Sequence, residues 1–316
     1  MSRITILGTG YIGTSIGLAL KASKVNVEVI GHDRDLNRAS EGRKRGAFDK
    51  VEWNLPAALE KASLVIVATP LGAMEKLFSQ MVDFLEPGCI VTDTASLKGA
   101  TLEWATTAFA GRASFVGGHP IVDGVDRRAA PTANLFQDRT YCVVAAANAS
   151  EQAVDQVVRF VQTLGAKPLF IDPTEHDSHV AVTGQLPQLL AAALVRVAGA
   201  SASWRDGQRL SGPAFATLTS AALEDPSELS RQFQVNRESL RRSLVALQDE
   251  LRELADALDD PERFVAALTA AQEIRAALPT GTEPASELSP PTDLPRAREQ
   301  FSSWFLGGLG GRRPKK

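Results

Sequence analysis

The sequence predicts an α/β chain, a doubly wound parallel sheet followed by an all-α part, and three observations carry that reading. Short β-rich apolar runs alternate with helical stretches from Ile4 to Ile171, the runs are continuously apolar, and the strand signal stops after Asp172. Continuously apolar strands are buried on both faces, which is what a parallel sheet covered by helices on either side requires.

Each element follows in order. The strand runs are ITIL at 4–7, VEVI at 27–30, LVIVAT at 64–69, CIVTD at 89–93, SFVGG at 114–118, YCVVA at 141–145 and PLFI at 168–171, with helical segments between them. After Asp172 the composition turns to Ala, Leu, Arg, Glu and Gln at helical spacing. Asp177 to about Ala200 reads as one long, largely buried helix that Pro187 bends. Leucines at 240, 244, 247, 251, 254 and 258 step by four and three, which puts them on one helix face, either a core stripe or one half of a two-fold helix pair between subunits. Beyond Pro279, TGTEPASELSPPTDLP has too few apolar groups to offset ordering entropy and reads as a linker, with a weakly basic tail behind it. The expected divisions are 1–172 for the sheet domain, 173–279 for a helical substrate and dimerisation domain, and 280–316 for linker and tail.

Composition excludes several classes. At 316 residues the length prior favours two cores, and a formal net charge of -3 offers nucleic acid no long-range attraction. The two cysteines, Cys89 and Cys142, lie in apolar stretches without metal-ligand spacing, so free buried thiols in the cytoplasm are expected and no metal is implied. No segment reaches ~18 uninterrupted apolar residues, so no membrane span is expected, and the short apolar run at 4–7 does not read as a signal peptide.

The chemistry begins at the first strand's end. Gly8-Thr9-Gly10-Tyr11-Ile12-Gly13 follows ITIL directly and opens the helical run TSIGLALKA. In such a turn the first glycine permits the bend, the second lets backbone approach a pyrophosphate, and the third lets helix and strand pack closely. The helix N-terminus adds N–H donors and partial positive charge. The second strand ends at Gly31-His32-Asp33, twenty residues beyond Gly13, where a carboxylate can accept from the adenosine ribose hydroxyls. The N-terminal part therefore reads as a Rossmann dinucleotide-binding domain. Asp33 favours NAD by repelling the 2′-phosphate of NADP, while the neighbouring Arg34 could pair with that phosphate, so NADP stays open. Thr69 and Pro70 end the third long strand on the edge where a cofactor would cross, and join the candidate lining.

Three further segments carry reactive groups. Thr92-Asp93-Thr94-Ala95-Ser96-Leu97-Lys98 offers a hydroxyl at Ser96 and an ammonium at Lys98. Gly117-Gly118-His119-Pro120 holds a histidine in a constrained strand end, and imidazole suits proton transfer near neutral pH. Glu175-His176-Asp177 stands at a helix start, where acidic groups also serve as cap and dipole complement.

In this order the stretches GTGYIGTSIG, ATPLGAM, DTASLK, GGHP, LF at 135–136, EHD at 175–177 and the LP of QLPQ resemble the prephenate and arogenate dehydrogenase family of tyrosine biosynthesis, over about residues 3–277. The resemblance implies that His119 accepts the proton of a ring hydroxyl while hydride leaves the same carbon for the nicotinamide and aromatisation expels CO2. It also implies that Ser96 hydrogen-bonds the histidine and the substrate hydroxyl, and that the helical domain forms a homodimer. Substrate contacts are expected at Lys98 and Gln185, and Arg127 and Arg128 read either as substrate-binding cations or as solvated loop charges.

The substrate half departs from the family pattern. Gly184-Gln185-Leu186-Pro187 stands where the family has Ser-His-Leu-Pro, so an amide replaces an imidazole. The family's carboxylate-gripping arginine before an Asp-Pro pair falls at Ser220, and no Arg lies between Arg209 and Arg231. Val125 fills the acidic position after GGHP, with Asp123 and Asp126 close by, and Arg127 and Arg128 are new cations in that loop. Two other classes compete. A β-hydroxyacid dehydrogenase would use a lysine early in the helical part, yet no lysine occurs between Lys167 and Lys315. A non-catalytic dinucleotide sensor would explain the missing Arg and His but not the retained Ser96 and His119.

Overall fold

The computed structural model describes residues 2–109, 111–122, 129–146 and 149–278. Residues up to Asp260 form one compact unit and the segment from Pro261 a second. The first is built on an eight-stranded sheet in the order β3-β2-β1-β4-β5-β6-β7-β8. Its strands are β1 (Ser2–Leu7), β2 (Val27–His32), β3 (Lys50–Val51), β4 (Ala62–Val67), β5 (Ile90–Asp93), β6 (Ser114–Pro120), β7 (Thr140–Ala145) and β8 (Lys167–Phe170). Helices α1 (Tyr11–Ala22), α2 (Leu36–Lys44), α3 (Leu55–Leu59), α4 (Leu71–Met81), α5 (Gly99–Phe109) and α6 (Glu151–Thr163) connect them. The sheet separates two apolar layers, one around Ile6, Ile16, Val29 and Phe160, the other around Val65, Phe78, Val91 and Phe109.

All seven expected strands are present, and two features differ from expectation. The two-residue β3 pairs only Lys50 and Val51 with β2, too short a run to show as a pattern. More consequentially, β7 runs antiparallel to β6, whereas the apolar runs implied a wholly parallel sheet. An antiparallel partner needs no crossover helix, and no helix appears among the described residues between these two strands. Because β6 is parallel to β5, its carboxyl end still shares an edge with those of β1, β4 and β5.

The remaining helices are α7 (Pro173–Val180), α8 (Leu186–Gly199), α9 (Trp204–Gly207), α10 (Pro213–Thr219), α11 (Pro226–Val235), α12 (Arg237–Ala257) and α13 (Pro261–Ala277). Asp172 caps α7 by accepting from the amides of Thr174 and Glu175. A π turn over Ala181–Gln185 joins α7 to α8. Pro187 lacks the N–H that would bond back one turn, and the widened turn just before it absorbs the mismatch. Pro173–Gly199 is thus continuous over 27 residues, and by length and composition alone it could cross a membrane. It is not the largely buried helix expected: only 17% of its apolar window is buried, and Val197 is 73% exposed.

The leucine face of α12 is likewise graded. Leu240 is buried, but Leu251 and Leu258 are 51% and 65% exposed, so the stripe is no core of this chain. In the second unit, α13 buries no side chain.

Candidate active site

The turn after β1 adopts the geometry its glycines predict. Gly8 has φ +97, and a Cβ there would stand 2.5 Å from the carbonyl oxygen of Ala68. A Cβ on Gly13 would lie 1.9 Å from the carbonyl oxygen of Gly8, so helix and turn touch backbone to backbone. Gly10 differs, since a Cβ there would meet nothing within 4 Å. Its lack of a side chain leaves open space at the start of α1, where no side chain caps the helix and no acidic residue occupies the first turn. These are the conditions under which a helix N-terminus receives an anion.

Asp33, at the end of β2, is tied to the same turn. Its Oδ2 accepts from the amide of Thr9 at 2.8 Å and from Thr9 Oγ1 at 3.1 Å, while Oδ1 accepts from the amide of Asp35 at 2.9 Å. A carboxylate offers about four acceptor positions, so one stays open toward a ribose hydroxyl. Arg34 is exposed beside it. At the end of β4, Thr69 Oγ1 is buried with no hydrogen-bond partner among the described residues, and Pro70 precedes the first residue of α4. An open cradle, an uncapped helix, a preset carboxylate and an unsatisfied hydroxyl fit a dinucleotide.

Beyond β5 lies a buried polar staple. Lys98 is fully enclosed, its Nζ donating to Asp93 Oδ2 at 2.5 Å and to the carbonyl of Gly118 at 2.7 Å. Asp93 also accepts from the amides of Gly118 at 2.9 Å and Ala95 at 3.2 Å. Burial depresses the Lys98 pKa, against the pull of the Asp93 carboxylate. The expectation that Lys98 touches substrate is therefore corrected: its ammonium is consumed in fixing Gly118, the residue before His119.

His119 itself is 5% exposed at the end of β6. Its Nδ1 lies 3.0 Å from Nε2 of His176, and Nδ1 of His176 lies 2.8 Å from Oδ1 of Asp177. The Asp177 carboxylate further accepts from the amides of Lys98 and Gly99, each at 2.8 Å, which anchors the start of α5 to α7. An ionised carboxylate only accepts, so His176 Nδ1 donates to it. In a neutral imidazole His176 Nε2 then accepts, which makes His119 Nδ1 the donor and assigns the basic lone pair of His119 to Nε2.

Ser96 stands half-buried in the turn between β5 and α5. Among the described residues its hydroxyl makes no hydrogen bond, and His119 Nδ1 is engaged by His176 instead of by Ser96. Gln185 also departs from its expected role. It is 2% exposed, its Oε1 accepts from Asn236 Nδ2 at 2.8 Å and its Nε2 donates to the carbonyl of Gln232 at 3.2 Å. Asn236 donates as well to the carbonyl of Asp177 at 2.8 Å. With both ends of its amide committed, Gln185 latches the π turn to α11 and does not face a substrate. Ser220 is exposed and donates only to the carbonyl of Thr217. Arg127 and Arg128 lie outside the described residues.

Fold and site together define a Rossmann-type nucleotide-binding protein whose appended helices bring acid–base groups to the carboxyl edge of the sheet. The comparisons narrow this. Residues 16–169 match the nucleotide-binding domain of prephenate dehydrogenase and residues 172–270 its dimerization domain, so the chain belongs to the prephenate dehydrogenase family. It is 32% identical over 200 residues to prephenate dehydrogenase of Lactococcus lactis, covering 62% of this chain and 53% of that one. It is 27% identical over 230 residues to cyclohexadienyl dehydrogenase of Zymomonas mobilis, covering 71% and 77% respectively. The chain spans about half the length of the Lactococcus lactis and Bacillus subtilis relatives. In fold it is similar to Aquifex aeolicus prephenate dehydrogenase in complex with hydroxyphenyl propionate and NAD+, with a TM-score of 0.81 at 22% identity over 87% of this chain and 98% of that one.

Proposed function

We propose that this chain catalyses the NAD(P)-dependent oxidative decarboxylation of prephenate, arogenate or a related cyclohexadienyl acid. The observation that carries the reading is the Asp177–His176–His119 chain, which stands on the carboxyl edge of the sheet that also carries the glycine-rich turn. His119 Nε2 takes the proton of the ring hydroxyl. His176 accepts from His119 Nδ1 and so stabilises the imidazolium, with the Asp177 charge behind it. Ser96, whose hydroxyl has no protein partner among the described residues, is available to the same substrate hydroxyl. The bound nicotinamide supplies the hydride acceptor for the carbinol carbon. As hydride and proton depart, the bond between the ring and its carboxyl group breaks, CO2 leaves, and its electron pair completes the aromatic ring.

The glycine-rich turn with Thr9, Tyr11 and Ile12, together with Asp33, Thr69 and Pro70, would hold the dinucleotide. The Asp33 carboxylate favours NAD, and exposed Arg34 is the group through which NADP could bind. The exposed apolar faces of α8 and α12 support association as a homodimer, in keeping with the match to a dimerization domain. The test is production of reduced nicotinamide from prephenate and from arogenate, with NAD and NADP in parallel. Turnover lost in His119→Asn while NAD still binds supports the assignment. NAD binding without turnover on either acid would point instead to a sensor.

A further inference from the structure

Strand β6 outruns its neighbour β5. The two pair only through Ile90 with Ser114, Val91 with Phe115 and Thr92 with Val116, and β5 ends at Asp93, whereas β7 accompanies β6 as far as Pro120. Gly118 lies two residues past Val116, so its N–H and C=O, which a strand directs to the same side, face a place that β5 has vacated. Side chains fill that place. Asp93 Oδ1 accepts from the Gly118 amide at 2.9 Å, Lys98 Nζ donates to the Gly118 carbonyl at 2.7 Å, and Lys98 Nζ closes the ring by donating to Asp93 Oδ2 at 2.5 Å. The close approach requires glycine, because a Cβ on Gly118 would stand 2.6 Å from the carbonyl oxygen of Asp93 and 2.8 Å from the Tyr141 ring. The carbonyl that Lys98 holds belongs to the peptide linking Gly118 to His119.

Lys98 also grips the other half of the relay. Its amide donates to Asp177 Oδ1 at 2.8 Å, and that oxygen accepts from His176 Nδ1, again at 2.8 Å. One residue therefore ties His119 through its side chain and His176 through its backbone. It spans by a second route the 3.0 Å contact between two rings 57 residues apart in sequence. Replacing a buried ion pair by apolar groups often costs no stability, but apolar groups cannot hold both the N–H and the C=O of one glycine. Two charges that are each 0% exposed are accordingly better explained by placement than by stability.

We propose that Lys98 is a positioning residue for proton transfer. Enclosed away from the substrate, it sets the separation and angle of His119 and His176 and acts on the reaction only through them. This rests on the reading of His119 as the proton acceptor of a cyclohexadienyl acid dehydrogenase.

The test is turnover of prephenate and arogenate across pH, with NAD affinity and Tm measured on the same samples. The charge-free double variant Lys98→Met/Asp93→Asn should lower kcat roughly 10- to 100-fold, the scale of an ~1 Å misplacement of a reacting group. It should keep KM and NAD affinity within about threefold, and move the acid limb of the pH profile to lower pH as the hold of His176 on the imidazolium loosens. In a His119→Asn background the same two substitutions should change the residual turnover by less than about threefold, because a residue that acts through His119 has nothing left to place. Gly118→Ala keeps both charges while its Cβ forces the peptide away from Asp93; it should reproduce the fall in kcat, and it decides alone if the double variant does not fold. An unchanged kcat, a fall with the acid limb unmoved, or a loss that persists in full without His119 would overturn the assignment while leaving wild-type turnover, and the functional reading, intact. A wild-type protein without turnover on either cyclohexadienyl acid would overturn both.

Discussion

Replacing His176 by leucine removes both ring nitrogens at similar bulk and leaves His119 Nδ1 facing a side chain that cannot accept. Two things should follow. The imidazolium formed when His119 takes a proton loses its acceptor and, behind it, the Asp177 charge. A hydrogen bond to a charged group contributes about 1.5–3 kcal/mol, and 1.36 kcal/mol is about tenfold in rate, so kcat should fall by roughly 10- to 150-fold. The acid limb of the pH profile should move to lower pH, because the imidazolium has lost the acceptor that stabilised it. Loss of the buried hydrogen bond itself costs about 0.5–1.5 kcal/mol of stability, and Tm should drop by a few degrees. His176→Gln, whose amide carbonyl can still accept, should recover part of the rate. Steady-state kinetics across pH, with Tm measured on the same samples, decides the matter. A leucine variant that folds, keeps kcat within about threefold and leaves the acid limb in place would refute the tautomer argument.

Three further outcomes are expected. Gly13→Ala should disrupt the turn itself, since its Cβ would lie 1.9 Å from the Gly8 carbonyl, whereas Gly10→Ala has open space and should keep Tm while weakening NAD at least about tenfold. Melting curves and NAD titration together separate the two. Lys98→Met strips a buried carboxylate of its cation. Removing one partner of such a pair costs about 3–5 kcal/mol, so Tm should fall by roughly 6–20 °C, more than for the isosteric pair Lys98→Met with Asp93→Asn. Burial raises the Cys89 thiol to about 12 and Cys142 to about 11. Thiols whose folded pKa exceeds the unfolded value of 9.0 contribute stability that is complete below about pH 9 and lost as pH rises through 11 and 12. Native protein near neutral pH should therefore react with a thiol reagent at least about a hundredfold more slowly than unfolded protein.

What could be read from the sequence was whatever is local. The strand runs, the Gly8–Gly13 turn and the spacing to Asp33 each lie within some thirty residues, and backbone geometry alone constrains them. The relay was not legible, because His176 meets His119 across 57 residues and an Glu-His-Asp cluster at a helix start has a sufficient explanation as a cap. Lys98 and Gln185 read as ligand contacts in the sequence for one reason: polar side chains beside a site have that look until their partners are known, and those partners, Asp93 with Gly118 and Asn236 with Gln232, come from the fold. The antiparallel sense of β7 is not legible in the sequence because an apolar run carries no direction.

The continuous helix from Pro173 to Gly199 joins two places that would otherwise have separate fates. One end carries His176 and Asp177; the other carries Leu190, Leu194 and Val197, apolar and exposed. With the π turn held by Gln185 and Asn236, a partner seated against the far end would bear on His176 through this one helix. Under the proposed association, a second copy would be more than a neighbour. It would hold the other subunit's proton acceptor in register, and assembly would become a condition of chemistry as well as of stability.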